Sequence, residues 1–410
     1  MSQIHSTKNK HVAPLSFAAV TETVHTRIQV SFNYPVSFTR DALNLRNMTL
    51  ANLFPRTLPS SPKIMPVIDS EVLHHHADLP HKLQAYAERH GFNLLPHEVV
   101  RGGEICKQEP EAMLEALYRR IADEQVDRHS YLLVIGGGAV LDAVGYAAAT
   151  AHRGIRLIRM PTTTLAQNDA GIGVKNAINH QQRKNYLGTF APPFAVINDF
   201  DFLDTQSERD KRAGIAEAVK VALLKDSDFF NYLLAHRTSL TDFHHEAALT
   251  MIKRCASLHL AHIAGSGDPF EMGSARPLDF GHWSAHKLEA LSGHRLRHGE
   301  AVAIGIALDS LYAWQTGRLS KQQCADILIC LEGAGFQLSC AELEAMNMQD
   351  ALNEFREHLG GNLCITLLSG IGAASEVSDI DAQLMQRCAQ WLIQGHLPHI
   401  KLKLDATYGQ

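Results

Sequence analysis

Residues 131–150 read YLLVIGGGAVLDAVGYAAAT, and this stretch decides the fold class. The apolar run from Tyr131 to Ile135 has no polar face, as expected of a strand covered on both sides. Three glycines follow, Gly136, Gly137 and Gly138, and then Ala139, Val140, Leu141 and Asp142 open a helix whose small residues would let it lie close to a sheet. Glycines at such a turn let backbone N–H groups approach a phosphate, and the positive end of the helix favours an anion. The stretch reads as a nucleotide or phosphate cradle, or more plainly as a tight strand-to-helix turn. It lacks the GxGxxG spacing of the ordinary dinucleotide fingerprint.

Outward from it, the β-rich runs RIQVSFNY (27–34), KIMPVID (63–69), IRLIRMPT (155–162) and FAVIND (194–199) alternate with the helical patterns LPHKLQAYAERHG (79–91) and EAMLEALYRRIADE (111–124). Such alternation predicts a mainly parallel sheet in an α/β domain over residues 26–205. Residues 1–25 are polar and aperiodic and read as a loosely ordered extension. From 206 to 410 the pattern is mostly helical, with amphipathic segments at 206–225, 244–264, 279–292, 299–316, 320–334 and 378–393. Within it, LCITLLSGIG (363–372) reads as a late strand or hairpin. There is no internal repeat.

The whole chain has 410 residues, 45% of them hydrophobic and 20% charged, enough for two domains with sizeable cores. A net charge of −5 gives no basic field for nucleic acid or a membrane surface, so small-molecule work is expected. Seven cysteines without a CxxC pair indicate neither a disulfide framework nor a thiolate zinc site, which fits a reducing cytoplasm. Neither an export signal nor a run of about 18 apolar residues is present.

Two further regions carry chemistry. The segment LIRMPTTTLAQNDAGIGVKNAINHQQRKNYLGTF (157–190) gathers Thr162, Thr163, Asn168, Asp169, Lys175, Lys184 and Asn185 in a strand-to-loop unit. Two lysines with an aspartate can hold a phosphorylated polyol, although a solvated loop would also carry such residues. In RPLDFGHWSAHKLEALSGHRLRHGEAVAIG (276–305), His282 and His286 are spaced i,i+4, as are His294 and His298. Either pair could share a helical face, and Glu217, far away in sequence, could complete a His/His/carboxylate set that leaves one metal position open, as in catalytic zinc. Spacing does not choose between the pairs, and with 24 histidines in the chain a single one is more often a surface or core residue.

Taken in order, GGGAVLD, the PTTTLAQNDAGIGVKNAINHQQRKNYLGTF segment, RAGIAEAVK (212–220) and DFGHWSAHKLE with HGEAVAIG resemble the dehydroquinate synthase family of sugar phosphate cyclases, over about residues 66–372. The resemblance implies a Rossmann-like α/β NAD domain, an all-α C-terminal domain with a divalent metal, usually zinc with cobalt possible, and a homodimer. It places the metal ligands at Glu217, His282 and His298, a proton-transfer histidine at His286, and an active-site lysine at Lys220. His294 has no counterpart and is taken as structural. Asp169, Lys175, Lys184 and Asn185 match substrate or cofactor contacts, and Arg153 matches an arginine that reaches substrate phosphate across the dimer interface. Asp69, Glu104, Lys107, the Gly136–Asp142 turn, Thr162, Thr163, Phe202, Leu203, Asp204 and Thr205 match cofactor contacts. For Glu104 and Lys107 a surface ion pair is an equal explanation. The implied reaction is transient oxidation of a ring hydroxyl, loss of phosphate, reduction back, and intramolecular aldol closure.

Departures from the dehydroquinate synthase pattern concern the substrate. Counting back from His282, the family's lysine position falls on Ala261, its arginine position on Ala275 with Arg276 next to it, and its asparagine becomes Asp279; EFREHLGG (354–361) replaces a lysine pair. Lost cations and a gained carboxylate disfavour a carboxylated substrate. A neutral polyol end such as that of sedoheptulose 7-phosphate fits better, which resembles the C7-cyclitol synthases, and His286 inclines the reading to the 2-epi-valiolone over the 2-epi-5-epi-valiolone type. The other readings are a 3-dehydroquinate synthase, a metal- and NAD-dependent polyol dehydrogenase, and a catalytically dead relative used for binding.

Overall fold

The structure is a computed structural model and describes residues 23–28, 30–54, 61–181, 183–243, 245–265, 268–270, 278–293, 295–358, 361 and 363–395. By contacts the chain separates into two units, Met1–Asn33 and Tyr34–Gln410. In the first, the described residues form no strand, and Val24, Ile28, Val30 and Phe32 are largely exposed. The strand expected at 27–34 is not present in its described residues, and the first described strand begins at Val36. Alternation of side chains is a weak determinant of a strand because β-propensity reflects packing more than backbone preference.

The strands of the second unit, in chain order, are β1 (Val36–Thr39), β2 (Lys63–Asp69), β3 (Asn93–Leu94), β4 (Glu98–Val100), β5 (Tyr131–Gly136), β6 (Arg156–Pro161), β7 (Lys175–His180), β8 (Arg183–Phe190), β9 (Ala195–Asp199), β10 (Ile365–Gly370) and β11 (Ala373–Val377). Seven form one parallel sheet in the order β1-β9-β6-β5-β2-β3, with β4 also paired to β2. Its faces are both buried, and β5 shows why its sequence is apolar throughout. Leu132 and Val134 enter one core with the Gly138–Thr150 helix, while Tyr131, Leu133 and Ile135 enter the other with Leu83 and Tyr86 of the Leu79–His90 helix. Parallel pairing brings the carboxyl ends Asp69, Gly136, Pro161 and Asp199 to one edge, where such sheets bind ligands.

The segment 162–190, expected as a loop, is more ordered than that. A wide helical turn at Ala166–Ala170 leads into the antiparallel β7–β8 hairpin. A buried guanidinium fixes it: Arg159 of β6 donates to the carbonyls of Gly171 and Gly173 and to Asn176 Oδ1.

Among the described residues after Asp199 the regular structure is helical, apart from the β10–β11 hairpin, where a strand or hairpin is expected at 363–372. Two helices are central. Residues 213–224 of the Glu208–Lys225 helix are all buried, as are residues 301–313 of the His298–Gln315 helix. They touch where a Cβ on Gly299 would lie 2.4 Å from the Ala213 backbone. Arg209 locks the same end, its Nε and Nη2 each 2.6 Å from a Glu300 oxygen. This contact brings His298 beside Glu217. No helix among the described residues is long and apolar enough to cross a membrane.

Candidate active site

Glu217 lies in the middle of a buried helix with no exposed surface, and its neighbours explain how a carboxylate survives there. His282 Nε2 and His298 Nε2 approach its Oε1 at 3.3 and 3.4 Å, and Lys220 Nζ lies 2.5 Å from its Oε2. Neither oxygen is in good hydrogen-bond geometry with a described partner. Two nitrogens and an oxygen at this spacing are what a tetrahedral zinc demands: bonds of about 2.0–2.1 Å put ligand atoms about 3.3 Å apart. Both imidazoles are set for the task by their other nitrogen. His282 Nδ1 faces the Phe280 carbonyl at 3.1 Å, and His298 Nδ1 faces Glu289 Oε1 at 3.0 Å. With a metal at Nε2, the acceptors at both Nδ1 atoms would hold the remaining ring proton there and orient each imidazole. The site fits a divalent metal.

Around Lys220 the electrostatics are lopsided. Burial works against its charge, but Glu217, Asp169 and Asp279 hold the ammonium protonated above its usual range. Burial would also raise the Glu217 carboxyl, yet Lys220 and the imidazoles keep it well below the carboxylate range. Asp169, at the turn before β7, lies 2.8 Å from His259 Nδ1 on the His245–Gly265 helix. His286 is exposed, its ring 5.6 Å from that of His282 and 6.1 Å from that of His298.

Beside this cluster opens a cleft of about 720 Å³. Its lining runs from Asp69, Glu104, Gly137, Gly138, Ala139, Thr162, Thr163, Phe202 and Thr205 at the sheet edge to Lys184, Glu289 and His298 on the helical side. Several expected cofactor contacts stand elsewhere. Gly136, Val140, Leu141 and Leu203 are buried and outside the lining, because only the first residues of the helix after the glycine turn face the cleft. Lys107 is buried, bonding Asp142 Oδ2 at 2.9 Å and Asn185 Oδ1, so these three satisfy one another. Asp204 is exposed near His245, and Lys175 and Arg153 are exposed outside the lining. Arg276 and His294 lie outside the described residues.

Three functional neighbours escaped the sequence. Ala261 is exposed on its helix, and the side chain of that helix facing Asp169 is His259. Glu289 shares the face of His282 and His286 at i, i+4, i+7, a signal present in the sequence but masked by the histidines. Asp309 is fully buried and accepts from Gly281 N at 3.0 Å and Trp283 Nε1 at 2.9 Å, gripping both neighbours of His282. Nothing in its local sequence marks it.

Comparison with known proteins agrees with this geometry. Models of the 3-dehydroquinate synthase N-terminal and C-terminal families match residues 97–213 and 214–357. A 3-dehydroquinate synthase of Blochmanniella pennsylvanica (strain BPEN) is 33% identical over 309 residues, covering 72% of this chain and 84% of that protein. Among solved structures, the 2-epi-5-epi-valiolone synthase of Streptomyces hygroscopicus subsp. jinggangensis 5008, with NAD+ and Zn2+ bound, is 29% identical with a TM-score of 0.80, over 91% of this chain and 100% of that one. A 2-deoxy-scyllo-inosose synthase complexed with carbaglucose-6-phosphate, NAD+ and Co2+ shares the fold at 22% identity and a TM-score of 0.72, over 86% of this chain and 95% of that one. With both halves of the family matched in sequence and the same fold found in its solved members, the chain belongs to the dehydroquinate synthase-like family of sugar phosphate cyclases.

Proposed function

We propose that this protein is a cyclase that uses NAD and a divalent metal, zinc or cobalt, to convert sedoheptulose 7-phosphate into a C7 cyclitol, 2-epi-valiolone or 2-epi-5-epi-valiolone, with release of phosphate. The observation that carries the reading is the single cleft lined at one end by the Gly137–Ala139 turn and at the other by His298 and Glu289. A dinucleotide seated on the glycine turn would bring its reactive end toward the metal ligands. Residues 26–205 would then serve as the cofactor half and 206–410 as the metal half.

Glu217, His282 and His298 would hold the metal, whose bound charge polarises a substrate oxygen and eases loss of its proton. Lys220 balances Glu217 beside the metal ligands. His286, its ring 5.6 Å from that of His282, would carry a proton, and Lys184 lines the cleft as a cation for the phosphate.

The neutral substrate end is favoured by charge. Asp279 and Asp169 both act on Lys220, and Ala261 stands at the position where the family carries a lysine, so a carboxylated substrate would meet added negative charge with one cation fewer. The 33% identity to a 3-dehydroquinate synthase supports that enzyme as the second reading. Supplying each heptulose phosphate to purified protein and assaying phosphate release separates the two: turnover of the heptulosonate phosphate alone would overturn the C7-cyclitol assignment. Steady accumulation of NADH would instead indicate a polyol dehydrogenase. The family resemblance further leads us to propose a cytoplasmic homodimer in which the exposed Arg153 serves the neighbouring subunit's cleft.

A further inference from the structure

We propose that Glu289 is a positioning residue that sets the proton of the metal ligand His298 and ties the metal centre to Lys184 on the β7–β8 hairpin. The proposal rests on the Glu217–His282–His298 metal reading; its zinc measurements do not depend on the identity of the substrate, and its KM measurements use the sugar phosphate proposed above.

Glu289 is only 4% exposed, near the end of the His282–Leu291 helix. A carboxylate this deep needs partners for both oxygens. It has one for each: Oε1 accepts from His298 Nδ1 at 3.0 Å, and Oε2 accepts from Lys184 Nζ at 3.2 Å. An ionised carboxylate only accepts, so the first contact requires a proton on His298 Nδ1 and turns Nε2, the nitrogen left for a metal, toward Glu217 Oε1, 3.4 Å away. A negative group behind the ring also makes Nε2 a stronger donor to a cation.

The second contact works on a different element. Lys184 stands on β8, a strand whose other residues are mostly exposed and whose only strand partner among the described residues is β7. Its side chain is 35% exposed, and the bond to Glu289 holds the ammonium at the cleft wall. One buried carboxylate thus orders a metal ligand and a cleft cation that come from different parts of the fold.

The test is zinc affinity, measured by chelator competition on the full-length protein, with circular dichroism to verify folding. Glu289→Ala should weaken zinc binding by about 10–100-fold. Glu289→Gln keeps an acceptor for His298 but places an amide or a neutral oxygen against Lys184. It should lose less than about tenfold in zinc affinity while raising KM for the sugar phosphate, as Lys184→Ala should also do without a zinc defect. Zinc binding within twofold of wild type in Glu289→Ala, or in Glu289→Gln with KM unchanged if the alanine variant does not fold, overturns the proposal. His282→Ala in the same series keeps the two readings apart: retention of zinc by that variant means that the ligand set itself is wrong.

Discussion

Lys220 Nζ lies 2.5 Å from Glu217 Oε2, one turn along the same helix, with the two side chains 4% and 0% exposed. A buried ion pair of this kind is costly to break from one side, because the survivor keeps its desolvation penalty. Lys220→Met should therefore lower the unfolding free energy of metal-stripped protein by about 3–5 kcal/mol. Added zinc should restore more stability to the variant than to wild type, since a dication can replace the missing ammonium. Urea unfolding with and without chelator measures both; equal zinc effects would mean that Lys220 does not balance Glu217.

Metal content gives the next expectation. Protein purified without chelator should carry close to one zinc or cobalt per chain, and His282→Ala or Glu217→Gln should lose most of it, since two remaining ligands hold zinc poorly. Elemental analysis decides, and unchanged content in either variant contradicts the ligand set.

Asp309 predicts a pH dependence. Burial pushes its carboxyl up to about 7, against the hydrogen bonds from Trp283 and Gly281. The folded protein then holds a proton that the unfolded chain releases near pH 4, so this group's contribution to stability falls as pH rises from about 4 to about 7, by on the order of 4 kcal/mol at most. Asp309→Asn abolishes that slope. It also leaves one N–H donor facing an amide NH2, at a cost of about 1–3 kcal/mol. Unfolding free energies at pH 5, 6, 7 and 8 should show wild type losing stability relative to the variant as pH rises, with the variant the more stable by about pH 7; a pH-independent difference contradicts the assignment.

Gly305 and Gly281 meet so closely that a Cβ on Gly305 would lie 2.0 Å from the Gly281 carbonyl oxygen. Gly281 itself is left-handed, with φ of 76°, and precedes His282. Gly305→Ala must push the two helices apart at the metal ligand, so a loss of about 1–3 kcal/mol in stability, the usual cost of overpacking, is expected together with weaker zinc binding. Thermal melts and zinc titration read the two effects.

Substrate choice should turn on Asp279. Asp279→Asn removes a negative charge that acts on Lys220, and the variant should shift kcat/KM toward a carboxylated heptulosonate phosphate by about tenfold, equal to 1.4 kcal/mol. Paired kinetics on the two substrates test this, and an unchanged ratio would remove Asp279 from the specificity argument.

The alternation of strands and helices, the glycine turn after β5, the change to helices from residue 206 and a late strand or hairpin at 363–372 are legible in the residues, because each follows from local periodicity and turn chemistry. The sequence also supplied Glu217, His282 and His298, though only family resemblance chose them over His286 and His294. Tertiary structure alone decided that RIQVSFNY forms no strand in its described residues and that Lys107 satisfies Asp142 rather than lining the cleft. Only packing brought in Glu289, Asp309 and His259 as partners of the site. Those outcomes depend on which buried polar groups meet across elements far apart in the chain. Periodicity carries no record of such meetings, because it reports which face of an element is buried and not what that face meets.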